Sequence, residues 1–344
     1  MDISWKSKVA RDIIEISVPI HEYHAQEEKL QPFFKSKIRE IQGDLNVIKI
    51  LKKSLDARKT DIKYILRLEL FSGKDWPETI SMPDFPPLRK EETVHIIGFG
   101  PAGVFAALKC LQLGIKPIVV ERGQAVKERR RDVAKLNRSG EMNSESNYCY
   151  GEGGAGTFSD GKLYTRSMKR GKIQEILELL VLHGADENIL YEAHPHIGTN
   201  KLPEIIENLR ETIRDNGGEV RFGAKLTDLN IIGQQVKEIA INGQWESCQN
   251  VVLATGHSAR DIYYLLHQNQ IALEAKPFAM GFRIEHPQSL INNIQYHNEK
   301  NAAILPPAAY SLVTQVAGKG AFSFCMCPGG IIAPAATDNG EVVV

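Results

Sequence analysis

The amino-acid sequence has no long apolar run, no excess of one charge and no regular set of cysteines. An uninterrupted apolar stretch of about 18 residues, which a membrane span needs, does not occur. The first residues lack the apolar core of a signal peptide, and five scattered cysteines do not indicate a disulfide framework. We therefore expect a cytoplasmic protein without a membrane partner.

Charge and side-chain chemistry exclude further classes. Lysine and arginine number 42 together, as do aspartate and glutamate, so nucleic acid is not an expected partner. No hydrolytic triad stands out, and no nearby Cys or carboxylate completes a metal site with His194 and His196. We expect a small-molecule substrate and no metal, and the oligomeric state is open.

What the sequence does contain is a short apolar strand at residues 94–97 that runs into a glycine-rich turn opening a helix. In such a turn the first glycine permits a sharp change of direction, the second lets the backbone approach a pyrophosphate, and the third lets the helix pack on the strand. The helix N-terminus then offers unpaired N–H groups to phosphates. Alone, the pattern also fits a glycine-rich turn in another α/β protein. The turn comprises Gly98, Gly100, Pro101, Ala102 and Gly103.

The following residues favour dinucleotide binding. A helix over 102–113 leads to a strand at 117–120, which ends in Glu121. An acid about 20 positions after the first glycine is where a dinucleotide site hydrogen-bonds the adenosine ribose. This carboxylate argues against NADP, whose 2′-phosphate it would repel. The next helix, over 126–136, carries Lys127, Arg129, Arg130 and Arg131. At least one of these could bind a pyrophosphate through two hydrogen bonds, although most of them face solvent.

A second glycine-rich stretch spans residues 151–162 and cannot form a regular element. Backbone N–H groups without bulky side chains suit close contact with a phosphate or a flat ring. We interpret this stretch as a second cofactor-contacting loop, a flexible loop being the alternative. Its candidate contacts are Gly153, Gly154, Gly156, Thr157 and Ser159.

Residues 1–78 predict a small α+β unit, with strands at 13–18, 47–51 and 62–71 and a helix at 27–42. Its basic segment, 49–67, fits either a polyanion-binding face, such as one for RNA, or a solvated sheet edge protected by lysines, which we favour. A proline-rich linker follows at residues 79–91.

These segments resemble the two-domain FAD-dependent oxidoreductases of the glutathione-reductase and hydroxybenzoate-hydroxylase type. The chain is more closely similar to a family of bacterial FAD-dependent, or NAD(FAD)-utilising, dehydrogenases. The similarity covers nearly all of the chain and is specific in its long glycine loop and its Cys-Met-Cys-Pro-Gly-Gly segment. The segments that carry it are 53–59, 98–103, 121–123, 151–162, 252–257 and 325–330.

The resemblance implies an FAD cofactor, with the first glycine turn at the pyrophosphate and Glu121 at the ribose. It also implies that Arg129 supports the phosphates and that Gly154, Gly156, Thr157 and Ser159 approach the flavin. The remaining implied contacts are Arg122, backbone at Lys225 or Leu226 near the adenine, and a second turn at Ala254, Thr255 and Gly256. Family members usually continue past this point, so the chain is expected to be a C-terminally truncated member.

The expected fold is α/β, with a Rossmann-like FAD-binding domain interleaved with a substrate domain and preceded by the small α+β unit. The FAD domain would comprise residues 92–166 and 218–258. The substrate or cap domain, incomplete here, would comprise 167–217 and 259–344. In it we predict strands at 279–286 and 322–330.

We expect a dehydrogenase that transfers hydride between FAD and an unknown substrate or NAD(P)H. One alternative is a non-enzymatic FAD-binding scaffold or redox sensor whose N-terminal domain binds a partner or RNA. Another is an NAD-dependent dehydrogenase without flavin. The catalytic residues are unknown. Cys325 and Cys327 would share one face of a strand, but they fit small buried hydrophobes equally well and lack CxxC spacing.

Overall fold

The N-terminal unit is a three-stranded antiparallel sheet packed against two short helices. The computed structural model describes residues 12–38, 45–159, 161–163, 171–198, 200–323, 326–341 and 343. In this unit the central strand alternates buried Tyr64, Leu66 and Leu68 with the less buried Ile65 and Arg67, so one face meets the helices. The elements are β1 (Asp12–Pro19), α1 (Ile20–Ala25), α2 (Leu30–Lys37), β2 (Leu45–Asp56) and β3 (Lys63–Ser72), in the sheet order β1-β3-β2.

The helices of this unit differ from the prediction. α1 was not predicted, and the predicted helix at 27–42 is a 3₁₀ turn at Glu27–Lys29 followed by α2. Gln26 breaks the helix because its backbone leaves helical geometry. Residues 39–44, the end of the predicted helix, lie outside the described residues. β2 is an edge strand on which Lys49 and Lys52 are exposed.

The second part of the chain alternates strands and helices up to residue 221. The predicted strand–turn–helix–strand unit and the helix predicted at 126–136 both form. The elements are β4 (Thr93–Ile97), α3 (Pro101–Gln112), β5 (Lys116–Val120), α4 (Val126–Ser139), α5 (Ile173–Leu182), α6 (Leu202–Asp215) and β6 (Glu219–Arg221), with 3₁₀ turns at Gly154–Gly156 and Glu187–Leu190.

An antiparallel meander follows and leads back to the sheet. The elements are β7 (Leu226–Ile232), β8 (Gln235–Ile241), β9 (Gln244–Ser247), β10 (Val251–Leu253) and α7 (Arg260–Gln268).

The central sheet is parallel, in the order β10-β4-β5-β6. Neighbouring residues of each strand point to opposite faces, so Ile96 packs with α3, α5 and α6, whereas Ile97 packs with the meander and α7. This is an α/β fold of Rossmann type, in which the order of connection reverses between β4 and β10. Ligands of such sheets bind at the carboxyl ends of the strands at that point.

The last part of the chain contacts the N-terminal unit. Side chains of this part, among them Ile291, Tyr296 and Leu305, share a hydrophobic core with β3 and α2. The division into a cofactor domain and a substrate domain stays a prediction. The elements are α8 (Gln288–Tyr296), α9 (Glu299–Ile304), β11 (Val313–Val316) and β12 (Lys319–Phe322).

The strands predicted at 279–286 and 322–330 are wrong in the described residues. Residues 272–287 form no strand, and only Phe322 of the second stretch belongs to one. Alternating apolar residues predict a strand, but a strand needs a partner edge to satisfy its backbone. Here Phe282 is 97% exposed. Within the described residues, no helix is both long enough and apolar enough to cross a membrane.

Candidate functional site

The turn between β4 and α3 is fixed by close backbone packing. Gly98 has a φ of +104°, and a Cβ added to it would lie 2.5 Å from the carbonyl oxygen of Ala254. A Cβ added to Gly103 would lie 2.0 Å from the carbonyl oxygen of Gly98. Both glycines are therefore required by the fold itself, whether or not a ligand is bound.

Gly100 differs from these two glycines. Its φ is negative, and the nearest atom to a Cβ added there is the Cα of Gly154, at 3.7 Å. The protein would accept a side chain at this position. Gly100 borders the cavity described below, so a side chain would project where a ligand could approach.

Glu121 joins the two glycine-rich segments. Its side chain is buried, and its two oxygens accept hydrogen bonds from the backbone N–H groups of Phe99 at 2.7 Å and of Gly123 and Gly151 at 2.9 Å. The carboxylate also borders the cavity. Each carboxylate oxygen has more than one acceptor site, so Glu121 can still accept a hydroxyl.

A cavity of about 590 Å³ lies at the carboxyl ends of β4, β5 and β10. Ligand pockets usually measure about 300–1,000 Å³. The cavity brings together most of the predicted cofactor-binding residues. They are Gly98, Gly100, Pro101, Ala102, Glu121, Arg122, Gly154, Gly156, Lys225, Leu226, Ala254, Thr255 and Gly256.

The sequence missed one wall of this cavity. Ile262, Tyr263 and Leu266 project into it from α7, and Tyr150 precedes the glycine loop. The 3.6-residue spacing of the apolar side chains could have revealed α7, which follows the turn at Ala254–Gly256. Tyr150 donates a hydrogen bond to the carbonyl oxygen of Ser258 at 2.7 Å and so ties the loop to the α7 side.

Five predicted residues do not border the cavity: Gly103, Arg129, Gly153, Thr157 and Ser159. Gly103 serves the turn, and a Cβ on Gly153 would lie 2.2 Å from the hydroxyl oxygen of Thr157 and 2.4 Å from Ile206. The Ser159 hydroxyl donates to the carbonyl oxygen of Gly156. These residues shape the loop rather than face the cavity.

Arg129 does not fit its predicted contact with phosphates. Its side chain is completely buried beneath the loop, and its guanidinium donates to loop oxygens instead of facing the cavity. Burial lowers the pKa of Arg129 to about 10, which still leaves it charged at neutral pH. The sequence identified an important arginine but assigned it the wrong partner.

Glu152 anchors the same loop from its other side. The buried carboxylate accepts the backbone N–H of Val126 at 2.8 Å and a bond from Arg210 of α6 at 2.7 Å. Burial raises the pKa of Glu152 despite the neighbouring Arg210. A buried carboxylate at the start of α4, paired with an arginine, holds the loop against two helices.

Four charged side chains form a cluster beside the Lys225 end of the cavity. Arg122 and Lys225 both pair with Glu145 and Asp261, at 2.6–3.3 Å. The Arg122 guanidinium also lies 4.4 Å from the ring centre of Tyr150. The cluster connects the end of β5 to α7 and neutralises the two cations near the predicted adenine position.

Of the two predicted cysteines, the structure describes only Cys327. Cys325 lies outside the described residues. Cys327 is exposed and does not border the cavity, whereas Cys149 does. In the part of the chain that the structure describes, no group of three or more His, Cys, Asp and Glu side chains is placed to hold a metal ion.

Two family matches cover the ends of the chain. Residues 277–344 match the family described as FAD-dependent protein, C-terminal domain-like, and residues 10–71 match a domain of unknown function. An uncharacterized protein of Clostridium beijerinckii is 41% identical over a 325-residue alignment that covers 89% of this chain. The chain spans 61% of the length of that relative.

Two solved structures match about half of this chain at low similarity. THI4 of Thermovibrio ammonificans is 20% identical, with a TM-score of 0.35, over 53% of this chain and 64% of its own. Glycine oxidase of Bacillus cereus is 16% identical, with a TM-score of 0.29, over 53% of this chain and 59% of its own.

Proposed function

We propose that the chain binds FAD in the cavity between the two glycine segments and serves hydride transfer between FAD and an organic substrate or NAD(P)H. One observation carries the proposal: the cavity at the reversal point between β4 and β10 is bordered both by the dinucleotide turn and by a second glycine loop. The match of residues 277–344 to an FAD-dependent family supports the choice of cofactor.

The residues of the turn fit the adenosine and pyrophosphate of a dinucleotide. Gly100 leaves the backbone open at the start of α3, where the first N–H groups of the helix have no partner within the helix. Glu121 offers a carboxylate to the ribose hydroxyls, and the backbone of Lys225 and Leu226 borders the same cavity.

The second segment is what favours FAD over NAD alone. Gly154, Ala155 and Gly156 border the cavity with almost no side-chain bulk, which suits a flat ring system laid against the backbone. A simple nicotinamide site needs only one glycine segment. Apolar side chains of α7, such as Ile262 and Leu266, form a wall that excludes water from a bound ring.

When bound, FAD supplies the hydride chemistry, and the protein supplies binding, orientation and electrostatics. In this proposal the turn and Glu121 would hold the nucleotide, the glycine loop would lie along its other part, and α7 would close one side of the cavity.

The test is the visible spectrum of the purified 344-residue chain after incubation with FAD and removal of unbound cofactor. We expect the oxidised flavin bands to stay with the protein and to bleach when NADH or NADPH is added without oxygen. FMN is the matched control, because it lacks the adenosine that the turn is expected to hold, and it should be lost on the column.

Two results would contradict two different parts of the proposal. A protein that leaves the column colourless contradicts the FAD site. A retained flavin that only dithionite can bleach contradicts NAD(P)H as the donor.

A further inference from the structure

The side chain of Arg129, on α4, is surrounded by the glycine loop. A guanidinium has five N–H donors in a rigid planar arrangement. All five find acceptors here, every one of them in residues 147–157. They are the carbonyl oxygens of Asn147, Tyr148, Glu152 and Gly154 and the hydroxyl of Thr157, at 2.6–3.1 Å.

The loop therefore wraps around a buried cation. Arg129 is fully buried, and four of its five acceptors are backbone carbonyls. Phe158 adds an aromatic ring 5.2 Å from the guanidinium carbon. A carbonyl turned toward Arg129 cannot turn elsewhere, so the guanidinium selects one backbone conformation for the whole stretch.

Part of the glycine content of the loop serves this arginine rather than a ligand. A Cβ added to Gly151, whose φ is +115°, would lie 2.3 Å from the Cδ of Arg129. By contrast, Gly154 and Gly156 border the cavity. The loop thus has an inner side shaped around Arg129 and an outer side presented to the cavity.

Three backbone N–H groups of the loop are also fixed by hydrogen bonds, in their case to other parts of the protein. The N–H of Gly151 donates to Glu121, that of Glu152 to the carbonyl of Gln124 at 3.0 Å, and that of Gly153 to the carbonyl of Phe99 at 2.8 Å. Both the oxygens and the nitrogens of this backbone are therefore directed by the protein, with no ligand needed to arrange them.

We infer that Arg129 is a positioning residue that holds the glycine loop in its cofactor-receiving conformation before any cofactor binds. The inference rests on the proposed FAD site. It does not place Arg129 in contact with the cofactor. The residue acts through Gly154 and the neighbouring backbone, and it lowers the entropic cost of binding because the loop is already ordered.

This role of Arg129 predicts different effects on the binding of the two halves of FAD. Two of the three N–H donors to Glu121, those of Phe99 and Gly123, lie outside the loop that Arg129 holds, and within the turn Gly98 and Val104 donate to Val120 and Gly100. ADP carries only the part of FAD that the turn and Glu121 are expected to hold. Loss of Arg129 should therefore weaken FAD binding much more than ADP binding.

The experiment compares the wild-type chain with Arg129→Met, Arg129→Lys and the control Arg130→Met. Arg130 is the exposed neighbour on α4. FAD and ADP affinities are measured by calorimetry, and limited proteolysis without any ligand reports the order of the loop. For Arg129→Met we expect FAD affinity to fall by about tenfold or more, ADP affinity to change by less than about twofold, and faster cleavage within residues 147–157.

Arg129→Lys keeps a charge but has three donors instead of five. It should give an intermediate loss of FAD affinity, which keeps the test decisive if Arg129→Met does not fold. Arg130→Met should match the wild type in all three measurements.

The inference is overturned if an Arg129 variant binds FAD as tightly as the wild type, or if ADP affinity falls as far as FAD affinity. It is also overturned if the loop of the ligand-free variant is cleaved no faster. A wild-type chain that binds ADP but not FAD would instead contradict the proposed function, and the two failures are thereby distinguished.

Discussion

The two glycine-rich segments that border the cavity are held in place by different means. The turn at Gly98–Gly103 is fixed by backbone against backbone, with hypothetical Cβ atoms only 2.0–2.5 Å from carbonyl oxygens. The loop after Cys149 also has backbone hydrogen bonds to Gln124 and Phe99, but its carbonyl oxygens and the Glu152 carboxylate are fixed by two side chains, Arg129 of α4 and Arg210 of α6. The turn keeps its conformation because its glycines have no side chains, whereas the loop also needs hydrogen bonds from residues of α4 and α6.

This difference explains why the conformation of the turn could be predicted from a local sequence motif and that of the loop could not. The turn needs only its own residues and the strand ends beside it. The loop needs a charge from α4 and another from α6, elements that the motif does not contain. Substitutions in the two segments should therefore fail in different ways.

The largest effect is expected for Gly103→Ala. The new methyl group would lie 2.0 Å from the carbonyl oxygen of Gly98, and this backbone oxygen cannot rotate away. We expect a loss of more than about 3 kcal/mol in the free energy of unfolding, measured by urea denaturation. Wild-type stability in this variant would mean that the turn is not fixed by backbone packing.

Arg210→Met tests the loop from the α6 side. It leaves the buried Glu152 carboxylate with the Val126 N–H and no arginine, at an expected cost of about 3 kcal/mol near neutral pH. Arg214→Met is the matched control on the same helix. Its pair with Glu211 is exposed, so it should cost less than about 1 kcal/mol.

The pH dependence of Arg210→Met has a definite sign. Burial already raises the pKa of Glu152 above its ordinary value of 4.5, and removing Arg210 raises it further. An acid whose folded pKa is raised favours folding at acid pH and loses that contribution as the pH rises through the folded pKa. The deficit of the variant should therefore shrink as the pH falls from neutrality through these raised pKa values, and it should be smallest at pH 4.5. If the variant lost the same free energy of unfolding at neutral pH and at pH 4.5, the buried ion pair would be contradicted.

The smallest effect is expected for Gly156→Ala. No atom lies within 4 Å of a Cβ added there, and φ is not positive. Unfolding free energy should change by no more than about 0.5 kcal/mol. A large loss would show that the outer side of the loop is also shaped by close packing, and the contrast with Gly103 would fail.

Sequence patterns identified the parts of the fold whose causes are local. The turn and Glu121 at the end of β5 follow from apolar runs and glycine spacing, and the cavity assembles around them. Lys225 and Leu226, implied only by resemblance, also border the cavity. Their use by a cofactor stays a prediction.

What the patterns could not identify depends on tertiary structure. A basic helix gives no sign that Arg129 is buried while Arg130 is exposed, because the difference arises from the loop packing against one face of α4. The strands predicted at 279–286 and 322–330 failed for a related reason. Alternation creates an apolar face, but a strand forms only where another strand is present to pair with it.

The central claim is that the two glycine segments enclose a cofactor site, and equilibrium titration of FAD into the wild type and Gly100→Val tests it most directly. The valine meets no protein atom closer than 3.7 Å at its Cβ but projects into the cavity. We predict one FAD bound per wild-type chain, at least about tenfold weaker binding in the variant, and unchanged stability to urea. Equal FAD affinity in both proteins, or no saturable binding in the wild type, would contradict the account.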